Sequence, residues 1–365
     1  MTTPLHRTWP LVILAIVSVA ALEAQPSRSI ADDVRCAPCR IVLRRVVDVG
    51  HPSDSILLST STRFALLGQG RVLAGPTTTP GVLAVFDAGN GALRRTFGRR
   101  GTGPGEFGFP SDFAVADSRI FVFDRELSRV TVLGASLDVE RTIPVPARLI
   151  DSDGFLALGQ RLIISSMYGS RARPGPIWIV THDGSVAATA GMDESQTAGS
   201  FARQRFLGAA GPDRFWVARL TSYELELWDT TGVLRRTLDR HASWFPPWQT
   251  LHHSPVREAP PPHIAGIHVA SDGLLWITIW VADANWKALP QGQQASDEIM
   301  NRFFDTRLEV LDPDAGTLLA SHQFPDLLVP VRGSDLHLAS FRSDPSGVVV
   351  WTLYRPAMNG RDVPK

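Results

Sequence analysis

The chain carries two cysteines, Cys36 and Cys39, set three residues apart in Cys-Ala-Pro-Cys. Such a pair supports redox exchange when it opens a helix in a βαβ setting. Here the residues that follow, Arg40-Ile-Val-Leu-Arg-Arg-Val-Val-Asp-Val49, read as a strand. Covalent haem needs a histidine directly after the second cysteine, and that position holds Arg40. Imidazoles form the next group: His252, His253, His263 and His268 fall within 17 residues. Neutral imidazole suits zinc or copper, but the spacing matches no His-Glu-x-x-His and no Cys/His zinc pattern. His263 and His268 sit near the start of one strand pattern, so a divalent metal held there is a secondary expectation.

Other catalytic signatures fail on their local chemistry. No Gly-x-Ser-x-Gly elbow is present for a hydrolase nucleophile. Gly101, Gly103 and Gly105 make a glycine-rich stretch, but no Gly-Lys-Ser/Thr follows and no helix starts after it, which argues against a phosphate cradle. Asp32-Asp33, Asp312 with Asp314, and Asp297-Glu298 fall in turn- or loop-like sequence, where solvated carboxylates are the ordinary outcome.

Aromatic and cationic side chains gather instead in long segments between strands. Trp244, Trp248, His252 and His253 lie in residues 241–262; Trp286, Lys287 and Arg302 lie in residues 282–304; Arg171 and Arg173 lie in residues 167–176. Trp and Arg dominate binding hot spots. These nine residues are therefore the expected ligand-binding set, for a small molecule, a peptide or a protein partner. A plainer role for the aromatics is to pack the loops onto the scaffold as a small satellite core. The alternative function is a metal-assisted lyase or hydrolase using His263 and His268.

The elements that must position these residues show themselves as a repeat. Leu83-Ala-Val-Phe-Asp87, Val130-Thr-Val-Leu-Gly134, Ile177-Trp-Ile-Val-Thr181, Leu225-Glu-Leu-Trp-Asp229 and Leu308-Glu-Val-Leu-Asp312 each end in a polar turn followed by a second short strand. The turn falls at 87, 134, 181, 229 and 312, a period of 47 to 48 with one insertion of about 35 residues before the last. Another pair of short strands precedes each hairpin, leaving no room for a helix. Four short antiparallel strands per period are the pattern of a β-propeller blade. A last unit spanning Leu328 to Tyr354 has only three strands, and Ile41 to Val49 has no partner in its own neighbourhood. The expectation is an all-β, six-bladed β-propeller of four-stranded antiparallel blades, its ring closed by the N-terminal strand in the last blade. Strand parity places the long segments 98–110, 167–176, 241–262 and 282–304 on one face, where binding loops collect. Tight turns such as Ser271-Asp-Gly273 fall on the other.

One unit carries a family resemblance. Gly98-Arg-Arg-Gly-Thr-Gly-Pro-Gly-Glu-Phe107, Pro110, Ile120-Phe-Val-Phe-Asp124 and Arg129-Val-Thr-Val132 resemble an NHL repeat, in that order. The match covers about 45 residues, and the Gly-Glu-Phe opening is absent from the other units. The whole chain resembles exported bacterial six-bladed, NHL-like propellers, which tend to carry a closely spaced cysteine pair before the first strand. The resemblance implies fold; within that superfamily functions run from partner binding to lyase and lactone-hydrolase chemistry.

The N-terminus supplies a compartment. Arg7, the apolar run Leu11 to Leu22, and small residues at Ala21 and Ala24 have the three parts of a secretory signal. The run is shorter than the ~20 apolar residues that span a bilayer. The expected organisation is a signal peptide at 1–24, a linker with the cysteine pair at 25–40, the propeller at 41–358 and a tail at 359–365. The mature protein would be periplasmic or extracellular, free of the membrane and monomeric, and in that oxidising setting Cys36 and Cys39 should pair. Lys+Arg and Asp+Glu both number 36, which removes the electrostatic attraction behind general nucleic-acid binding. Arg99, Arg100, Arg171, Arg173, Arg257, Lys287 and Arg302 nevertheless gather on the loop face, where they could form a cationic rim.

Overall fold

The structure, a computed structural model, describes residues 27–146, 154–166, 175–191, 200–248, 257–291, 293 and 301–360. Two N-terminal strands, β1 (Ser27–Ile30) and β2 (Arg40–Val49), precede a series of antiparallel strand groups. The groups are β3–β6 (Leu58–Leu67, Arg71–Thr77, Leu83–Asp87, Leu93–Phe97), β7–β10 (Pro110–Ala116, Arg119–Asp124, Arg129–Leu133, Val139–Pro144) and β11–β14 (Phe155–Leu158, Arg161–Ser165, Ile177–Thr181, Val186–Ala190). They continue as β15–β18 (Arg205–Ala209, Arg214–Arg219, Glu224–Asp229, Leu234–Arg240), β19–β22 (His263–Val269, Leu275–Ala282, Phe304–Asp312, Thr317–Phe324) and β23–β25 (Val329–Val331, His337–Ser343, Val349–Asn359). Among the described residues one short helix, α1 (Ser200–Arg203), accompanies them. The fold is all-β and propeller-like.

The periodic aspartates have a local cause. Asp87 Oδ1 accepts the amides of Gly89 at 2.7 Å and Asn90 at 3.1 Å; Asp229 Oδ1 accepts those of Thr231 at 2.9 Å and Val233 at 3.1 Å; Asp312 Oδ1 accepts those of Asp314 at 3.0 Å and Ala315 at 2.9 Å. Each carboxylate thus closes the turn between the third and fourth strands of its group. Gly91 completes the first of these turns at φ +77°, where a Cβ would lie 1.9 Å from the carbonyl oxygen of Asp48 on β2. Neither the backbone conformation nor the space admits a side chain there.

The first strands β3, β7, β11, β15, β19 and β23 lie side by side in that order, and β23 returns to β3. Arg332, just after β23, donates its amide to Phe64 O at 2.9 Å and accepts from the Leu66 amide at 2.7 Å. The apolar core is divided into clusters between successive groups. One joins Val217 and Phe215 to Ile177 and Ile179, the next joins Leu225 and Leu238 to Ile277 and Ile279, and another joins Val49 and Leu58 to Ala339 and Trp351. Inner and middle strands are covered on both sides and read as continuous apolar runs. The outermost strand β6 is largely exposed and reads Leu-Arg-Arg-Thr-Phe.

Residues 27–49 run along the outer rim. β1 pairs in parallel with β18, Val34 bridges Leu318 of β22, and β2 pairs antiparallel with β25 from Arg40 opposite Asn359 to Val49 opposite Trp351. The expected partner of the N-terminal strand is therefore present. The segment read as a linker contains β1 and the Leu318 bridge. Cys36 and Cys39 are joined as a disulfide between that bridge and β2. β25 also pairs directly with β3 at one position, Val349 opposite Leu58, so β3–β6, β23–β25 and β2 form one eight-stranded sheet.

Candidate functional site

Trp280, near the end of β20, is the centre of an aromatic row on the long-loop face. Its ring centroid lies 5.4 Å from that of His263 and 6.0 Å from that of Phe304. His263 continues to Trp248 at 6.5 Å, and Trp248 to Phe201 at 6.1 Å. On the other side of Trp280, Phe341 meets Trp351 in a tilted contact at 4.9 Å, and Trp351 meets Phe64 edge-on at 5.2 Å. The indole N–H groups are all committed to backbone carbonyls: Trp248 to Pro262 at 2.9 Å, Trp280 to Leu328 at 2.9 Å, Trp351 to Ser59 at 3.0 Å. Fixed in this way, the rings offer apolar surface rather than free donors.

Two hollows flank Trp280 and its neighbours. The larger, about 250 Å³, is lined by Thr60, Ser61, Thr62, Arg63, Trp280, Leu327, Val329, Phe341 and Trp351. Its polar wall is a bulge in β3: Leu58 opposes Thr77 and Arg63 opposes Gly75, so four residues of β3 face Pro76 alone. Thr62 Oγ1 closes the bulge by donating to Pro76 O at 2.9 Å and accepting from the Ser59 amide at 3.0 Å. Bulges redirect side chains at sites of this kind. The smaller hollow, about 70 Å³, lies among Phe201, Leu220, Trp248, Pro260, Pro261, His263 and Phe304.

A third cavity, about 240 Å³, lies along the inner strands toward the axis and is lined by apolar residues with Thr278, His268, Arg332 and Ser334. A 20 Å³ hollow between Arg63, Phe64, Phe206, Ala265, Pro330 and Arg332 adjoins it, sharing Pro330 and Arg332 with it and Arg63 with the 250 Å³ hollow. Among the described residues no carboxylate lines any of these three spaces. A hollow of about 300 Å³ on the tight-turn side, with His268, Asp272, Asp335 and Arg355 in its wall, mixes both signs.

The two histidines expected to act together are separated. His263 and His268 occupy opposite ends of β19, which bulges between Ile264 and Gly266. His263 sits among Trp248, Trp280 and Phe304 and donates Nδ1–H to Pro261 O at 3.1 Å; burial pushes its pKa down to about 4. His268 alone reaches the axial cavity, and burial lowers it to about 4 despite the nearby Asp335 carboxylate. Among the described residues no three His, Cys, Asp or Glu side chains gather as a metal-ligand group.

The other expected residues divide. Trp248 joins the aromatic row, whereas Trp244 packs on the core between Phe245 at 5.7 Å and the Arg307 guanidinium at 4.2 Å. The packing role thus accounts for Trp244. Trp286 is half-buried, and Lys287 and Arg302 are exposed on the flanks of their loop. His252, His253, Arg171 and Arg173 lie outside the described residues. The rim is less cationic than its composition, because Arg99 pairs with Glu106 at 2.6 Å and Arg100 with Glu126 at 3.3 Å. The glycine-rich stretch is held by protein: Arg129 donates to the carbonyls of Thr102, Gly103 and Glu106 at 2.7, 2.9 and 2.8 Å, while Asp124 accepts the Gly108 and Phe109 amides at 2.8 and 3.0 Å. The motif that resembles an NHL repeat has a structural use here.

Trp280, Phe304, Phe341, Trp351 and the Thr60–Arg63 wall were not marked by sequence reading. They sit in strands, where an aromatic is ordinarily core. The one available signal was Trp280 at the end of a strand that runs straight into a long loop.

No protein-family model matches the chain, and no curated protein is detectably related. Solved structures do match. A member of the DUF4221 family from Bacteroides vulgatus aligns over 88% of this chain and 99% of its own at 11% identity, with a TM-score of 0.58. A protein of Bacteroides fragilis named as a candidate exported protein aligns over 90% of this chain and 98% of its own at 11% identity, with a TM-score of 0.56. A streptogramin B lyase matches at 12% identity with a TM-score of 0.41, a likeness too loose to bear on fold or activity. At these identities the likeness concerns the fold. Among the described residues no helix is long and apolar enough to cross a membrane.

Proposed function

We propose that this chain is an exported six-bladed propeller that binds a small molecule, or one group of a peptide or protein, on its long-loop face. The eight-stranded sheet is read as two blades, β3–β6 and β23–β25 with β2, since besides the Ala65–Arg332 bridge Val349 opposite Leu58 is the one position at which their strands pair. The leader-like N-terminus and the exported name of one structural neighbour support export. The β7–β10 unit, with its Asp124 and Arg129 clamps, is read as the NHL-like blade.

The observation that carries the binding reading is the aromatic row centred on Trp280 beside a hollow of about 250 Å³. Aromatic-lined concavities with a few placed polar groups are the usual form of small-ligand sites. The test is a thermal-shift screen of small molecules and short peptides on the unaltered protein, Phe341→Ala, Trp248→Ala and a tight-turn-face variant, Asp272→Ala. Hits should weaken in the first two variants and persist in Asp272→Ala. Hits indifferent to both Phe341 and Trp248 would place binding elsewhere and overturn the reading.

A further inference from the structure

We propose that residues 27–32 act as a strap whose docking sets the affinity of the long-loop site: held against β18, they fix the start of the 241–262 loop and with it the place of Trp248. This concerns the regulation of that site and rests on the binding reading. Three observations carry it.

The course of the strap is the first. Ser27–Ile30 lie parallel to β18, with Ser27 Oγ donating to Asp239 Oδ2 at 2.6 Å and Ile30 opposite Arg240, the last residue of that strand. Beyond them Val34 bridges Leu318, and the Arg35 amide donates to Leu318 O at 2.8 Å. The segment thus joins the β15–β18 and β19–β22 groups. The 70 Å³ hollow lies between the same two, with Leu220 and Trp248 from one side and His263 and Phe304 from the other.

Continuity of contact is the second. Ile30 is 2% exposed and shares one apolar cluster with Ala242 and Phe245. Arg240 donates Nη1–H to Ala31 O at 3.0 Å, and Asp32 Oδ2 accepts the Ser243 amide at 3.4 Å. The Arg240 amide donates to Tyr223 O at 3.0 Å, and the Tyr223 ring lies 5.5 Å from that of Phe245. Two residues before Tyr223, Thr221 O accepts the Trp248 amide at 3.0 Å. The loop from Arg240 to Trp248 is therefore tied at its start by the strap and at its end by the turn that holds Trp248.

The third is that the strap can open. β1 has four residues, the first three of them exposed, and it is the outermost strand of its sheet. Short edge elements of this kind open at free energies well below that of global unfolding. A site that is competent only with the strap docked has its apparent affinity reduced by the docked fraction.

The test compares the unaltered full chain with Ile30→Ala and Asp32→Ala. Hydrogen exchange is followed at the Phe245 and Trp248 amides, with the β8 amides of a distant strand group as reference, and indole, a neutral aromatic fragment, is titrated by calorimetry. Exchange at Phe245 and Trp248 should quicken by about tenfold or more in Ile30→Ala and by about threefold in Asp32→Ala, with β8 unchanged. Indole affinity should fall in the same order. Melting curves establish that each variant folds, and Asp32→Ala, altered at a side chain that is 47% exposed, serves if Ile30→Ala does not. Faster exchange confined to β1 and β18 would overturn the proposal and leave the strap as an edge cover. An even rise that includes β8 would overturn it as well, since the strap would then support the whole ring. Quickened Trp248 exchange with unchanged indole binding would show that the strap holds the loop without governing the site, and would overturn the regulation. If indole does not bind the unaltered protein, a screening hit that depends on Trp248 or Phe341 takes its place. Lacking any such hit, the binding reading falls and this one with it; that failure is seen in the unaltered protein, whereas failure of the strap alone is seen in its variants.

Discussion

Arg332 grips Asp112 with a two-pronged fork, Nε to Oδ1 at 2.9 Å and Nη2 to Oδ2 at 2.6 Å, across 220 positions of sequence. Arg332 follows β23 and Asp112 lies on β7, so the fork reaches over β3 and ties the end of the chain to its second strand group. Asp112 is 2% exposed and also accepts the Phe113 amide at 2.8 Å.

Breaking a buried charged pair from one side leaves the other charge desolvated and costs roughly 3–5 kcal/mol. Asp112→Ala is therefore expected to lower stability by about 3 kcal/mol in urea unfolding, near the bottom of that range because the Arg332 side chain keeps 23% exposure. Arg332→Lys, with Asp112 in place, should keep less than half of the pair's contribution, since an ammonium cannot make the fork. A loss within ~0.5 kcal/mol, as at an ordinary surface site, would show that the seam holds without the pair.

Arg240 makes a second comparison inside one guanidinium. It contacts Glu309 at 2.9 Å, whose side chain is 0% exposed, and Asp32 at 3.0 Å, whose side chain is 47% exposed. Glu309 also accepts Tyr223 Oη at 2.7 Å and Ser321 Oγ at 3.1 Å. Glu309→Ala should cost about 3–5 kcal/mol, and Asp32→Ala less than about 1 kcal/mol. Comparable losses in paired urea titrations would contradict this ranking.

Acid should destabilise the protein through two half-buried imidazoles. His263 and His268 are both lowered from 6.5 to about 4 by burial. A lowered histidine is neutral when folded, so the unfolded chain takes up protons first; stability is full above about pH 6.5 and declines as pH falls toward 4. Each shift corresponds to roughly 3 kcal/mol at the acid end. Melting temperature followed across that window should fall less steeply in His263→Gln and His268→Gln. A profile unchanged in both variants would assign the acid sensitivity to other groups.

Glu224 behaves in the opposite sense. Arg219 Nη2 lies 3.1 Å from Glu224 Oε1 and 2.9 Å from Glu226 Oε1, one cation between two carboxylates. Burial first, then the Glu226 charge, raise Glu224 to about 7 against the pull of Arg219. A raised carboxyl favours the folded state when neutral, so its contribution is present below about 4.5 and is lost as pH rises through about 7. Glu224→Gln stays neutral and should be more stable than the unaltered protein by on the order of 1–2 kcal/mol at about pH 8, with little difference near pH 4. Destabilisation at about pH 8 would mean that the ion pair with Arg219 outweighs the burial of charge.

The disulfide closes a short loop beside Cys39, which is packed with Ile41, Leu308 and Leu338. Replacing both cysteines by serine should cost about 2 kcal/mol and leave ligand hits unchanged. Insulin reduction by the purified protein, lost in Cys36→Ser with the fold intact, would instead establish a redox centre.

Much of the architecture is readable along the chain because its causes are local. The alternation in Leu83-Ala-Val-Phe-Asp87 makes a strand, and the aspartate that ends it makes the following turn by taking two amides a few residues on. The same chemistry at Asp229 and Asp312 sets the period. Trp248 stood out because an aromatic in a long loop lacks an automatic place in a core. Trp280 and Trp351 did not, since an indole in a strand reads as interior, and Trp351 is indeed 1% exposed.

Strands, turns and a terminal strand in need of a partner follow from residues within a few positions of one another. Which side chains share a hollow is a different matter. Thr60–Arg63 meet Trp280, Phe341 and Trp351 because β23 returns to lie against β3 and β2 pairs with β25, and these are contacts between opposite ends of the chain. No periodicity encodes that meeting. It depends on where each strand group packs against the next, on the bulge that turns Thr60–Thr62 toward the rings, and on the Arg332–Asp112 fork that holds the seam.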